Sequence, residues 1–199
     1  MKIHENHDGN CESTMNKPPT LIFTQDSPFF EMVMAFLAAT MGMGPVFEKE
    51  NPLSPGPDKI AWYRGKVRPD LAIDVGQVHA LCESGDLTAD AVMKSLCCML
   101  LNTAYSVAEA HNDQSPAFEV FRHLRNAASH GNNFFFKKDE PRLPASWGTF
   151  VIDDKLKGRF NPLFGVECIG DTFSPADALA LLQNIERRFP KMRQIARDQ

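Results

Sequence analysis

Three times along this chain a serine is followed directly by a proline and then by apolar residues at helical spacing: Ser27-Pro28, Ser115-Pro116 and Ser174-Pro175. A serine at the N-cap accepts a hydrogen bond from an otherwise orphaned backbone N–H. A proline at the first helical position gives up an N–H that had no partner there. Each pair therefore marks a helix start, and helices with one apolar face must bury that face against one another. The chain reads as mainly α.

After Ser27-Pro28, Phe29, Met32, Val33, Phe36, Leu37 and Thr40 form one apolar face up to a break at Gly42 to Pro45. A longer central helix, capped by Asp86 or Thr88, carries Val92, Leu96, Met99, Leu100, Thr103 and Val107 on one side. Pro116 opens a helix that runs to His130, where Gly131 supplies the left-handed residue that ends many helices. After Ser174-Pro175, Leu179, Leu182, Ile185, Phe189 and Met192 share a face, interrupted near Pro190. Residues 133–173 change character. Phe134 to Phe136, Thr149 to Ile152 and Gly165 to Ile169 are short β-like runs between turn residues, predicting a small hairpin or sheet insert before the last helix. Glu48 to Pro69, with Pro52, Pro55 and Pro57, reads as a long surface loop, and Asp70 to Glu83 as weakly helical. Residues 1–25 are polar and lack an apolar period, so a flexible tail is expected ahead of a single domain over 26–199.

With 43% hydrophobic and 23% charged residues, the composition is that of a globular chain and excludes a wholly disordered one. The longest strongly apolar stretch, Met32 to Met43, is broken by Thr40 and Gly42 and falls short of the roughly 20 residues a membrane span needs, so no membrane association is expected. The first residues, MKIHENHDGNCE, lack the apolar core of a signal peptide, which predicts a cytoplasmic protein. Five cysteines without a C-x-x-C pair argue against a disulfide framework or a zinc ribbon, and Cys97-Cys98 reads as core packing. The net charge of −4 is unevenly spread. Residues 1–113 carry 8 basic against 15 acidic residues, while residues 114–199 carry 13 against 10. The second half is the basic one, and it holds the segment most suited to chemistry.

That segment is Phe121-Arg122-His123-Leu124-Arg125-Asn126-Ala127-Ala128-Ser129-His130. Arg122, Arg125, Asn126 and Ser129 fall at i, i+3, i+4 and i+7, with His130 four residues beyond Asn126, so they share one helix face. Val120, Phe121, Leu124, Ala127 and Ala128 form the opposite, packing face. No Asp or Glu is expected on the polar face, and the local spacing supplies no metal-ligand set, so neither a metal nor another cofactor is expected. His130 at a helix C-terminus favours the imidazolium, Arg125 supplies a permanent planar cation for phosphate, and Asn126 supplies a donor and an acceptor.

The Arg125-Asn126-x-x-x-His130 spacing at a helix end resembles the HEPN superfamily, whose nuclease members carry Arg, a polar residue and then His after four to six intervening residues. The later Trp147-Gly148-Thr149-Phe150-Val151-Ile152-Asp153 run and the terminal helix are similar to a prokaryotic branch with a β insert before the last helix. The resemblance implies an up-and-down helical bundle and a homodimer whose two motifs share a composite site. It further implies metal-independent cleavage of RNA by attack of a ribose 2′-OH on its own phosphate. Arg125, Asn126 and His130 would be the catalytic residues; Arg122, His123, Ser129, Lys137 and Lys138 would contact RNA. His123, two helical turns from His130, is the second choice as its proton-transfer partner, behind the symmetry-related His130. A toxin or defence role, with an antitoxin or regulatory partner, is a further implication of the resemblance. A non-catalytic module of the same type, binding RNA, a nucleotide or a protein partner, is the alternative.

Overall fold

A computed structural model describes residues 20–47, 60–67, 69 and 71–188. Within them lie five α-helices and two antiparallel strand pairs. Helix α1 spans Phe30–Phe47, strands β1 (Ile60–Tyr63) and β2 (Leu71–Asp74) form the first hairpin, and α2 spans Val75–Ser84. Helices α3 (Ala89–Ala108) and α4 (Pro116–Ser129) follow, then strands β3 (Ala145–Trp147) and β4 (Phe150–Ile152), and finally α5 (Pro175–Arg188). The mainly helical expectation holds, and a small hairpin lies inside 133–173, but of the three expected β-like runs only Thr149 to Ile152 enters it. Phe134 to Phe136 is no strand, and near Gly165 to Ile169 there are only isolated bridges, Asn133 with Glu167 and Ile169 with Phe173.

The caps act as their residue types predict. Thr88 Oγ1 accepts from the Ala91 N–H at 3.1 Å, and Ser115 Oγ from that of Phe118 at 3.3 Å. Ser174 and Asp177 form a reciprocal capping box: Ser174 Oγ accepts from the Asp177 N–H, and Asp177 Oδ2 accepts from the Ser174 N–H. Ser27 does more than cap. Its Oγ accepts from the Phe29 N–H and donates to Glu186 Oε2 at 2.7 Å, joining the start of α1 to the buried end of α5.

Helix α3 is the centre of the bundle, in contact with α1, α4 and α5. With the 3-10 turn after it, Ala89–His111 is long and apolar enough to cross a membrane by length and composition. Asp90, Lys94 and Asn102 interrupt its apolar run along the sequence. In the fold it is a core helix whose Cys97, Cys98, Leu100, Leu101, Ala104, Tyr105 and Ala108 are buried. That inner face is rotated from the expected one, for Met99 is 65% exposed and Thr103 and Val107 lie on the surface. Two apolar stripes adjoin on this helix, and periodicity cannot choose between them. The small side chains of Ala104 and Ala108 allow close approach of neighbouring helices, and close packing makes the choice.

Three further expectations are corrected. Helix α1 continues past Gly42 through Pro45, a proline tolerated in the final turns because Met41, whose carbonyl a regular residue 45 would bond, is exposed. Within the expected loop and weak helix, Ile60–Tyr63 pairs with Leu71–Asp74, so strands occupy both; residues 48–59, 68 and 70 lie outside the described residues. Residues 20–25, assigned to the tail, lie against the body: Phe23 packs on the core, and the Ile22 carbonyl accepts from Gln183 Nε2 at 2.9 Å. The remainder of the expected tail, and the Phe189, Met192 end of the last face, lie outside the described residues.

Candidate functional site

The site is built on α4. Ser115 and Pro116 fix its start, and Phe118, Val120, Phe121, Leu124 and Ala127 bury its back without exposure. At the far end His130 is the C-cap, its N–H donating to the Ala127 carbonyl at 2.9 Å, and Gly131 takes the left-handed φ of +69°. Asn132 then anchors the helix end to the insert. Its Oδ1 accepts from the Ile169 N–H at 2.8 Å, and its Nδ2 donates to the Ile169 carbonyl at 2.8 Å and to Glu167 Oε1 at 3.3 Å. A side-chain amide bonded to both polar groups of one distant residue leaves the helix end little freedom.

On the front of α4, Arg125 Nη1 donates to Asn126 Oδ1 at 3.2 Å, and the guanidinium lies 5.1 Å from the centre of the Tyr105 ring. Ser129 Oγ donates to Asn102 Oδ1 on α3 at 2.7 Å. His130 is exposed and stacks on Phe135, with ring centres 4.3 Å apart and planes 24° from parallel. Arg125 and Asn126 are thus brought together, whereas no hydrogen bond joins either to His130 among the described residues.

Arg122 and His123 are placed differently from the expectation. Arg122 Nε donates to Glu119 Oε2 at 2.8 Å, and Nη1 to Glu140 Oε1 at 2.9 Å. The acid-free face predicted from α4 alone therefore does not exist: Glu119 stands one turn before Arg122, and Glu140 reaches it from the insert. An Arg already bonded to two carboxylates has little left for a phosphate. His123 is 1% exposed, lies against Phe136 and accepts from Arg122 at Nε2 (3.0 Å), while its Nδ1 has no hydrogen-bond partner among the described residues. Burial, helped by the Arg122 charge and opposed by Glu140, lowers its pKa to about 4. It stays neutral near pH 7, so it is poorly suited to exchange protons with substrate there.

Lys137 and Lys138 are exposed and line an open groove of about 400 Å³. Its opposite wall holds Lys157, Arg159 and Phe160, none of them singled out from sequence. The signal that could have found them is the basic, aromatic string Lys155-Leu156-Lys157-Gly158-Arg159-Phe160, 25 residues or more beyond the motif. The groove abuts the helix end, because Phe135, which lines it, is the ring on which His130 lies.

Cys97, Cys98 and Cys168 are buried, and burial holds each thiol protonated, that of Cys97 pushed up to about 12. Among the described residues no three His, Cys, Asp or Glu side chains gather to hold a metal ion. Comparison with protein-family models, curated proteins and solved structures finds no match to this chain.

Proposed function

We propose that the chain is an endoribonuclease of the HEPN type, cleaving RNA by attack of a ribose 2′-OH on the adjacent phosphate. The observation that carries this reading is His130, an exposed imidazole capping a helix with a buried back and stacked on the wall of a basic groove. Its exposed ring at the helix end is placed where it could deliver a proton to the departing 5′-oxygen. Arg125 and Asn126 would bind the phosphate and stabilise the charge that grows on it.

One imidazole per protomer leaves the second proton transfer unassigned. His123, neutral and buried, loses ground even as second choice, so a second copy's His130 stays the preferred partner. The apolar surface of α3 supports association: Met99 and Val107 are exposed on the helix whose Asn102 holds Ser129. Such a dimer would be the place where an antitoxin or regulator acts.

The test is incubation of purified protein with RNA in EDTA, and with a DNA copy of the same sequence. RNA products ending in a 2′,3′-cyclic phosphate and a 5′-OH, absent with His130→Ala, are expected; intact RNA under all conditions would overturn the reading. A second reading, an RNA-binding module without catalysis, is favoured by one observation: Arg125 lies over Tyr105 and bonds Asn126, and is not bonded to His130. Binding of the same RNA without cleavage would decide for it.

A further inference from the structure

The groove beside His130 combines three properties rarely found together by accident. First, its cations stand outside the salt bridges of the described residues. Lys137, Lys138 and Arg159 are exposed and form no salt bridge among the described residues, and no carboxylate lines the groove. The acids that follow the two lysines in sequence pair elsewhere, Asp139 with Arg142, although it also feels the Lys137 charge, and Glu140 with Arg122.

Second, its aromatic groups are displayed. Phe160 is 85% exposed, although elsewhere in the fold such side chains fill the core. Phe135 packs on Phe164, with centres 5.7 Å apart, and carries His130 on its other side at 4.3 Å. A run of rings thus leads from the end of α4 into the groove.

Third, the groove is built to hold its shape. Gly158 adopts a φ of +54°, and a Cβ there would stand 3.2 Å from the Lys138 Cα, so only glycine lets the two walls meet. The Gly158 N–H donates to the Glu140 carbonyl at 2.7 Å, and Lys157 Nζ donates to the carbonyl of Pro141. The buried amide of Asn161 ties the same loop to the carbonyls of Asp153 and Leu156. Through Glu140 this wall is bonded to Arg122, and hence to α4 itself.

We propose that this groove binds single-stranded nucleic acid, Phe160 stacking on a base while Lys137, Lys138 and Arg159 take the phosphates on either side. Unpaired bases offer the free faces that an exposed ring can cover, and the backbone offers regularly spaced charge. A duplex hides those faces and leaves Phe160 with nothing to stack on. An acidic peptide would satisfy the cations and not the ring. Strand binding as such does not require cleavage; only the groove's place as the substrate tract of a ribonuclease rests on the function proposed above.

The experiment is fluorescence anisotropy with a labelled oligodeoxythymidylate of about 12 nucleotides, within the site sizes of single-strand binders. This probe lacks the 2′-OH, so binding is read apart from cleavage. The full chain should bind it more tightly than a duplex of equal length, with an affinity that falls as salt rises by roughly 0.7 log units per log unit for each phosphate engaged. Phe160→Ala, at a site too exposed to unfold the chain, should weaken binding about fivefold or more. Lys138→Glu with Arg159→Glu should weaken it further and flatten the salt dependence. No binding, equal duplex binding, or indifference to Phe160→Ala would overturn the proposal, as would polyaspartate displacing the strand regardless of Phe160. Loss of cleavage with intact strand binding would count against the nuclease alone, whereas cleavage indifferent to groove variants that abolish binding would count against the groove alone.

Discussion

Arg122 Nη2 lies 3.0 Å from Nε2 of its chain neighbour His123, so the buried imidazole accepts there and carries its proton on Nδ1. Two cationic groups side by side would repel, and the pairing holds only while the histidine is neutral. Its pKa of about 4, against 6.5 when exposed, expresses that preference. In the window between these values the unfolded chain binds a proton that the folded chain refuses. Stability contributed by the neutral imidazole is therefore present above pH 6.5 and declines as pH falls toward 4. Denaturant midpoints measured from pH 8 to pH 4 should show a loss on the order of 3 kcal/mol from this group. His123→Gln, less stable at pH 7, should show a flatter profile, and an unchanged slope would remove His123 as its cause.

Arg122 is the cation shared by Glu119 and Glu140, both buried. Burial works against its charge, and the two carboxylates more than compensate, so its pKa is raised. Glu140 is correspondingly held below the usual range: burial would raise it, and the Lys137 N–H with Arg122 prevails. Arg122→Gln leaves two carboxylates without a cation, and urea unfolding should give a loss of about 3 kcal/mol, as for other broken buried pairs. A loss below 0.5 kcal/mol would mean that water replaces the guanidinium without difficulty.

Gly158 is the point of closest approach between the groove's two walls. Alanine there would be strained by the positive φ and crowded against the Lys138 Cα. The expected outcome for Gly158→Ala is a stability loss of about 1–3 kcal/mol, together with weaker strand binding. Calorimetry and anisotropy on the same sample check both, and a variant as stable as the parent would show that the walls can separate freely.

His130 is exposed and Arg125 half-buried, so their removal should spare the fold and affect the chemistry. Cleavage by His130→Ala should fall about 10²- to 10⁴-fold, and by Arg125→Ala about 10²- to 10³-fold, with circular dichroism unchanged. Equal activity of parent and variants, measured with the same RNA, would assign any observed cleavage elsewhere.

Met99 stands exposed on the unpartnered side of α3. If that side joins two copies, Met99→Glu should shift sedimentation from dimer to monomer and lower cleavage in parallel. A chain that sediments as a monomer before and after the change would exclude the shared site.

Much of the helical framework was legible because its signals are local. Ser115 with Pro116, Ser174 with Asp177, and Thr88 each cap the next few residues of the same chain, and Gly131 ends α4 by its own φ. The hairpins depend on pairing, across two residues for β3 and β4 and across a longer connection for β1 and β2. Of the one at β3 and β4 only Thr149 to Ile152 was visible as a β-like run, and β3 was not. The one at β1 and β2 was hidden, for Ile60–Tyr63 is four residues long, sits among prolines and pairs with a segment that resembles a helix start.

The candidate site divides along the same line. Arg125, Asn126 and His130 follow from the order of residues on one helix, since spacing along a backbone sets which side chains share its surface. The fate of Arg122 was settled by Glu140, 18 residues away, that of His123 by burial against Phe136, and those of Lys137 and Lys138 by a loop that meets them through Gly158. Sequence alone determines caps, periods and helix ends, because those interactions span a few residues. Burial, ion pairing and the walls of a groove depend on which distant segments pack together, and only the tertiary structure decides that.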